Sequence, residues 1–163
     1  MSVPELTPLE QQIIDNVRQH GCMIMHVFDP AGEEPNFSYS IGFPETVSQP
    51  EVIVFGLDKK LMHSMINETW RQCSEDGLDL ADGICISDLI EGFDCVAREI
   101  TSPNAIREHF GSAIWYNRTR RNEKLTRAFQ LVWPGAQQGL YPWDRECSTE
   151  VTDWQPPLYE VAA

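Results

Sequence analysis

The apolar run Val52-Ile53-Val54-Phe55-Gly56 determines the predicted architecture of this chain of 163 residues. The run is too short for a helix, and it does not alternate between apolar and polar positions, which predicts a strand covered on both faces. The loop from Pro44 to Pro50 precedes it, and Asp58 follows at the position of a helix cap. The sequence therefore predicts a buried central strand from which a helix leads away.

A helix and a β-hairpin are predicted upstream of this strand. Thr7-Pro8-Leu9-Glu10 is a capping box, which predicts an amphipathic helix at about residues 8–20 that ends at Gly21. Strands are predicted from Cys22 to Phe28 and from Phe37 to Phe43. Because a polar turn separates them, they are predicted to pair as a β-hairpin. Alternation divides the second strand into two faces, with Phe37, Tyr39 and Ile41 predicted to be buried and Ser38, Ser40 and Gly42 opposite.

The second half of the chain predicts more strands than helices. Apolar residues recur at helical spacing from Leu61 to Cys73, with Gly77 as the predicted stop. Strands are predicted near residues 84–89, 93–100 and 128–132, a short helix between Ser102 and Gly111, and a polar connection over residues 117–127. Strands grouped between helices, without regular alternation, predict a single α+β domain over residues 1–163, whose largely antiparallel sheet is packed by two or three helices.

The net charge of −13 argues against a nucleic-acid binder and against a protein drawn to anionic membranes, because both partners are polyanions. The charge is unevenly distributed. Residues 68–94 hold eight acidic residues against Arg71 alone, whereas residues 98–127 hold seven basic residues against three acidic ones. The first region could attract a cationic partner and the second an anion; the alternative is that both are solvated faces that keep the protein soluble.

Several classes of protein are disfavoured by what the sequence lacks. No apolar run is long enough to span a bilayer, and the first residues lack the pattern of a signal peptide, so we expect a cytoplasmic protein. The five cysteines are scattered and odd in number, which indicates free thiols. The four histidines do not show metal-ligand spacing, and no glycine-rich phosphate loop is present. We therefore predict neither a metal nor a cofactor.

Two tryptophans next to prolines form the most distinctive local pattern. Trp133 precedes Pro134 and Trp143 follows Pro142, so the prolines stiffen the connection that carries both indoles. One hypothesis is a partly aromatic pocket near Ser40, in which both tryptophans lie close together. Tyr141 belongs to this pattern as a further aromatic anchor, and Asp144 is predicted at the rim of the pocket. The alternative is that both indoles plug one end of the sheet as ordinary packing.

Two polar residues near the predicted strands are candidates for chemistry. Ser40 lies in Tyr39-Ser40-Ile41-Gly42, which has only one of the two glycines of a nucleophile elbow, so it is predicted to be a strand serine. Glu51 follows Pro50 at the start of the central strand, where a carboxylate can orient a ligand or cap a loop. The sequence therefore predicts no catalytic residue, and leaves Tyr39, Ser40 and Glu51 as candidates for ligand or partner binding.

Five blocks of the sequence carry a family resemblance: Phe37–Gly42, Gln49–Leu57, Gln130–Pro134, Gly139–Trp143 and Gln155–Leu158. Together they resemble the bacterial domain of unknown function 4262 family, over about residues 21–158. The resemblance implies no established activity. Its pattern often has histidine before Pro50 and aspartate after Pro134, whereas this chain has Gln49 and Gly135. If those two side chains serve catalysis in relatives, this protein lacks them.

Two hypotheses of function follow. The first is a non-enzymatic protein-binding module, such as an immunity-type inhibitor of a cationic bacterial toxin domain, in which Asp76, Asp79 and Asp82 help to steer the partner. The second is a small-molecule enzyme or ligand-binding protein that uses an aromatic pocket around Ser40, Trp133 and Trp143. In the second, the basic segment from Arg118 to Arg127 would receive an anionic substrate.

Overall fold

The first element of the computed structural model, which describes residues 5–161, is helix α1 (Pro8–His20). The Thr7 hydroxyl accepts a hydrogen bond from the Glu10 backbone N at 3.1 Å, and the Glu10 carboxylate accepts one from the Thr7 N at 2.9 Å. Gly21 ends the helix with a φ of 90°, a left-handed conformation that favours glycine. The predicted capping box and helix are confirmed.

The centre of the domain is a six-stranded sheet in the order β1-β2-β3-β6-β5-β4. The strands are β1 (Met23–Val27), β2 (Phe37–Ile41), β3 (Glu51–Phe55), β4 (Cys85–Ile90), β5 (Phe93–Glu99) and β6 (Ala128–Val132). Strands β3 and β6 pair in parallel, and the other four pairings are antiparallel. The predicted hairpin of β1 and β2 and the α+β class with a largely antiparallel sheet are confirmed.

The helices cover both faces of this sheet. They are α2 (Phe43–Thr46), α3 (Lys59–Glu75), α4 (Pro103–His109), α5 (Gly111–Arg121) and α6 (Thr149–Trp154), in addition to α1. Asp58 caps α3 through a hydrogen bond from the Lys60 N at 3.1 Å, as predicted. The prediction of a polar connection over residues 117–127 is wrong in its first part, because residues 117–121 form the last turns of α5.

Two apolar clusters fill the space between sheet and helices. One packs α3 against β3 and β6 through residues such as Met62, Met65 and Phe129, and the other packs α1, α4 and α5 on the opposite face. Ser38 and Ser40 are therefore fully buried although they lie opposite the apolar face of β2. The prediction of one buried face is confirmed for Tyr39 and Ile41, but the second face is buried as well, because α3 also contacts β2.

The parallel pair gives the sheet two recognisable ends. We call the end where β3 and β6 begin, at Glu51 and Ala128, the start side, and the end where they finish, at Phe55 and Val132, the end side. The buried Gln130 side chain fixes the C-terminal segment to β6, because it donates to the Pro156 carbonyl at 3.1 Å and accepts from the Leu158 N at 2.8 Å. Within residues 5–161, none of the helices has the length and apolar character that crossing a membrane requires.

Candidate functional site

The start side is organised around a buried carboxylate. Glu51 has no exposed surface, and its carboxylate accepts hydrogen bonds from the Ser40 hydroxyl at 2.8 Å, the Gly42 N at 2.8 Å and the Phe43 N at 3.1 Å. Burial raises the pKa of Glu51 to about 7, although these donors act in the opposite direction. Of the two roles considered for Glu51, the geometry shows the capping of a loop, since it holds the chain where β2 turns into α2.

Ser40 and Tyr39 connect β2 with its neighbours. The Ser40 hydroxyl donates to Glu51 and accepts from the Val52 backbone N at 2.9 Å, so it replaces a strand hydrogen bond at the start of β3. The Tyr39 hydroxyl accepts a hydrogen bond from the Ser112 N at 3.0 Å, in the first turn of α5. Both side chains are buried, which leaves neither hydroxyl open to a ligand at the surface.

A chain of polar contacts leads from Glu51 to the protein surface through α5. The Asn117 amide nitrogen donates to the Ala113 carbonyl at 2.8 Å and lies 3.5 Å from a Glu51 carboxylate oxygen. The Asn117 amide oxygen accepts from a terminal nitrogen of Arg121 at 2.8 Å. Sequence reasoning missed this relationship because α5 was not predicted; the four-residue spacing of Asn117 and Arg121 was the available signal.

The three aspartates proposed to steer a partner each have a polar partner of their own. Asp76 forms an ion pair with Arg71 at 3.1 Å, and Asp82 forms one with Arg98 at 3.0 Å. The Asp79 carboxylate accepts a hydrogen bond from the Gln49 amide at 3.0 Å. The acidic segment therefore carries less unpaired charge than its sequence indicates, since Arg71 also binds Glu68 and Glu75.

On the end side, Trp133 is part of the core. Its indole N–H donates to the Phe55 carbonyl at 2.7 Å, and its backbone N–H donates to the Gln155 side-chain oxygen at 3.2 Å. Ser40 contacts β3 at Val52, three residues before Phe55, and a strand rises about 3.3 Å per residue. The prediction that Ser40 lies near Trp133 is therefore wrong, because β3 separates Ser40 from Trp133.

Trp143 lies in an exposed aromatic stack. Its ring is parallel to that of Tyr141, with centroids 5.2 Å apart and an interplanar angle of 3°, and the Arg98 guanidinium lies 5.0 Å from its centroid. Asp144 accepts a hydrogen bond from the Tyr141 N at 2.8 Å, and the Tyr141 hydroxyl donates to the Asp94 carbonyl at 2.7 Å. Tyr141, Trp143 and Asp144 thus form one local unit, while Trp133 has a separate, buried environment.

A cleft of about 740 Å³ opens on the end side, next to Trp133. We call it the acidic cleft, because its described lining includes Glu146 and Glu150 but no lysine or arginine. Trp154, about 45% exposed at the end of α6, provides a second indole. Gln137, Gln138, Cys147, Ser148 and Val151 are among the other lining residues.

Sequence reasoning missed Trp154 and Glu150 because it did not predict α6, and it missed Glu146, which lies in the turn before that helix. The available signals were Ser148, which caps the helix through a 3.2 Å hydrogen bond from the Glu150 N, and the two prolines that follow Gln155.

The geometry defines an α+β domain with a buried carboxylate at one end of its parallel strand pair and an aromatic, acidic cleft at the other. A family model described as "Domain of unknown function (DUF4262)" matches residues 16–148, and the chain belongs to this family. No curated protein and no solved structure matches the chain.

The two positions at which this chain departs from the pattern expected of its relatives have structural roles. The Gln49 amide donates to Asp79, and its oxygen accepts from the Leu80 N at 2.9 Å, so Gln49 joins two loops on the start side. Gly135 donates its N–H to the Leu140 carbonyl at 2.8 Å and lines the acidic cleft.

Proposed function

We propose that this protein is a non-enzymatic binding module that receives a cationic group of a protein partner in the acidic cleft. The observation that carries the proposal is the lining of that cleft, in which Trp154, Glu146 and Glu150 accompany buried Trp133. Carboxylates attract a lysine or arginine side chain, and the face of an indole stabilises a cation within about 6 Å of its centroid.

The charge of the whole protein supports the same class of partner. With a net charge of −13, the molecule attracts cationic proteins over a distance of roughly one Debye length, about 8 Å at physiological salt. The acidic cleft then provides the short-range contacts that the paired aspartates at positions 76 and 82 lack. Long-range attraction therefore speeds encounter, and the cleft determines how long the partner stays.

The test compares two pairs of substitutions that remove the same charge from opposite sides. The probe is a fluorescently labelled peptide of alternating arginine and glycine, and the readout is fluorescence anisotropy. Replacing Glu146 and Glu150 with glutamine should weaken binding roughly tenfold, because the cleft loses both carboxylates. Replacing Asp76 and Asp79 with asparagine, as the matched control, should weaken binding less than about twofold.

Equal effects of the two pairs would show that the peptide binds through general charge attraction, and would contradict the proposal. A further variant, Trp154→Leu, leaves the charge unchanged, since it removes the exposed indole and keeps both glutamates. It should weaken binding roughly threefold, in proportion to a lost cation–π contact.

In its more specific form, the proposal is that the partner is a cationic toxin domain and that this protein is its immunity-type inhibitor. The supporting features are the small acidic α+β domain and the cleft on one end of it. If a toxin gene lies beside the gene for this protein, co-expression should protect cells from that toxin. The Glu146→Gln, Glu150→Gln variant should protect them less. Protection that is unchanged in this variant would contradict a role for the acidic cleft.

A second candidate is a small-molecule site in the same cleft, because its volume of about 740 Å³ falls in the range of pockets for small organic ligands. This form keeps Trp133 from the original aromatic-pocket hypothesis but not Ser40, which is buried on the start side. Thermal unfolding in the presence of a library of organic amines tests it. A hit whose stabilisation disappears with Trp154→Leu, together with no binding of the arginine–glycine peptide, would favour this candidate over a protein partner.

A further inference from the structure

We infer that the start side carries a second binding site, which takes an oxyanion of the phosphate or sulfate class. A cleft of about 390 Å³ lies there between the loop before β3 and the segment that joins α5 to β6. We call it the basic cleft, because Arg121, Lys124 and Arg127 all line it. This site is separate from the acidic cleft, which lies on the end side.

The side chain of Arg121 is held in place by a buried residue of the same helix. One of its terminal nitrogens donates to the Asn117 amide oxygen at 2.8 Å, and Asn117 is itself buried between the Ala113 carbonyl and Glu51. Within residues 5–161 the other guanidinium nitrogens of Arg121 form no hydrogen bond to the protein. An arginine anchored at one corner, with the remaining donors available, is suited to bind the oxygens of an anion.

The other two cations complete the arrangement. Arg127 is positioned by an ion pair with Glu99 at 3.0 Å and by the ring of Phe129, whose centroid lies 5.7 Å from the guanidinium carbon. Lys124 is exposed and forms no ion pair in the described part of the chain. Glu123 also lines the cleft without pairing to these cations there, so the lining retains an excess of positive charge.

The walls of the basic cleft are fixed by unusual backbone conformations. Ser48, on the loop before β3, has a φ of 57°, and Asn122, which ends α5, has a φ of 53°. Both are left-handed conformations, which residues other than glycine adopt at a cost. Asn122 turns the chain so that Lys124 and Arg127 follow Arg121 back along the cleft. The cations are therefore brought together by the fold and not by a continuous helix face.

The experiment uses the intact protein, with sodium sulfate and inorganic phosphate as probes and sodium chloride at matched ionic strength as reference. Amide chemical shifts are followed by two-dimensional NMR. We expect saturable shifts in residues 48–50 and 121–127, with dissociation constants on the order of millimolar for so small a ligand. Shifts that rise linearly with concentration, or that match those caused by chloride, would overturn the inference.

Three charge-removing variants sharpen the test. Lys124→Gln should weaken sulfate binding roughly fivefold, and because Lys124 has no ion pair within residues 5–161, this change leaves the described protein contacts intact. Arg121→Gln should weaken it by at least as much. Arg120→Gln is the matched control. It removes the same charge as Arg121→Gln from the same turn of α5, but Arg120 is exposed and does not line the cleft. Equal weakening by Arg120→Gln and Lys124→Gln would contradict the site.

A third arm concerns the class of ligand. Sodium acetate supplies a carboxylate at comparable ionic strength. Binding of phosphate and sulfate in preference to acetate supports the assignment, with a preference for phosphate identifying the phosphate group as the ligand. Binding of acetate without either dianion would contradict it.

Discussion

Gln155 and Trp133 are hydrogen bonded to each other in both directions. The Trp133 N–H donates to the Gln155 side-chain oxygen at 3.2 Å, and the Gln155 amide donates to the Trp133 carbonyl at 2.6 Å. Both residues are buried, so no water replaces these contacts. The pair joins the residue after β6 to the residue after α6, and thereby fixes one wall of the acidic cleft to the sheet.

Replacing Gln155 with alanine should therefore lower the free energy of unfolding by about 2–4 kcal/mol, because a buried N–H and a buried carbonyl both lose their partner. Urea denaturation followed by tryptophan fluorescence measures the loss. Gln137→Ala is the control, since Gln137 is exposed in the wall of the same cleft and should cost less than about 0.5 kcal/mol. Similar costs for the two variants would show that the reciprocal pair does not stabilise the fold.

The stability of the protein should be equally sensitive to a substitution of Gly56, for a steric reason. It has a φ of 78°, and a Cβ added there would lie 2.2 Å from the Trp154 carbonyl oxygen. Gly56→Ala should therefore destabilise the protein by more than about 2 kcal/mol and displace α6, whereas Gly32→Ala should cost only about 1 kcal/mol. Gly32 has a similar φ of 71° with no neighbouring atom within 4 Å. Thermal unfolding of both variants tests this, and equal costs would exclude the close approach of α6.

Much of the fold could be predicted because its signals are local. The capping box at Thr7, the apolar run of β3 and the cap at Asp58 each depend on neighbours within a few residues, and the structure confirms all three. The alternation in β2 predicted the strand but not its burial, because helices cover both of its faces. The sequence does not predict helix α5, because the helix begins at Gly111, a residue type that commonly follows the end of a helix, and finishes in a basic turn without an apolar stripe.

The candidate sites depend on contacts that no local pattern reveals. Glu51 is joined to Asn117 across sixty-six positions of sequence, and Trp133 to Phe55 across seventy-eight. The parallel pairing of β3 with β6 places Trp133 beside Phe55, and the packing of α5 against β2 brings Asn117 to Glu51. Pattern alone cannot identify which elements become neighbours. The prolines at positions 134 and 142 predict a rigid connection between the two tryptophans, and such a connection is compatible with a single aromatic pocket. The structure instead divides the aromatic residues between the core and an exposed stack.

Arg98 should contribute to that exposed stack through its planar group. Its guanidinium carbon lies 5.0 Å from the Trp143 centroid and 4.5 Å from that of Tyr159, and its Nε donates to Asp82 at 3.0 Å. Arg98→Lys keeps the charge but loses the planar contacts, so we expect a loss of about 1 kcal/mol and easier quenching of Trp143 by acrylamide. Arg145→Lys, a change at an exposed neighbour of Asp144, should alter neither quantity. Unchanged quenching in Arg98→Lys would contradict the proposed stacking.

Glu51 should make the stability of the protein fall as the pH rises. Because burial raises the pKa of Glu51 from 4.5 to about 7, the folded state holds a proton that the unfolded state has released between these values. Its contribution to the free energy of unfolding therefore decreases from about pH 4.5 to 7 and levels off above, by roughly 3 kcal/mol in total. His26 acts in the opposite direction, since burial, Lys59 and His63 lower its pKa and its contribution is lost as the pH falls.

Urea denaturation across this pH range isolates Glu51 by comparison with Glu51→Gln. The variant should be less stable throughout, because its amide presents N–H donors to the donors of Ser40, Gly42 and Phe43. The difference in stability between protein and variant should shrink as the pH rises to about 7, since only the protein loses stability through Glu51 ionisation. Glu91→Gln, which removes an exposed carboxylate from the turn after β4, should leave the pH profile unchanged. A constant difference between the protein and Glu51→Gln over the whole range would mean that the Glu51 carboxyl has the same pKa folded and unfolded, and that the hydrogen-bond donors around it offset the cost of its burial.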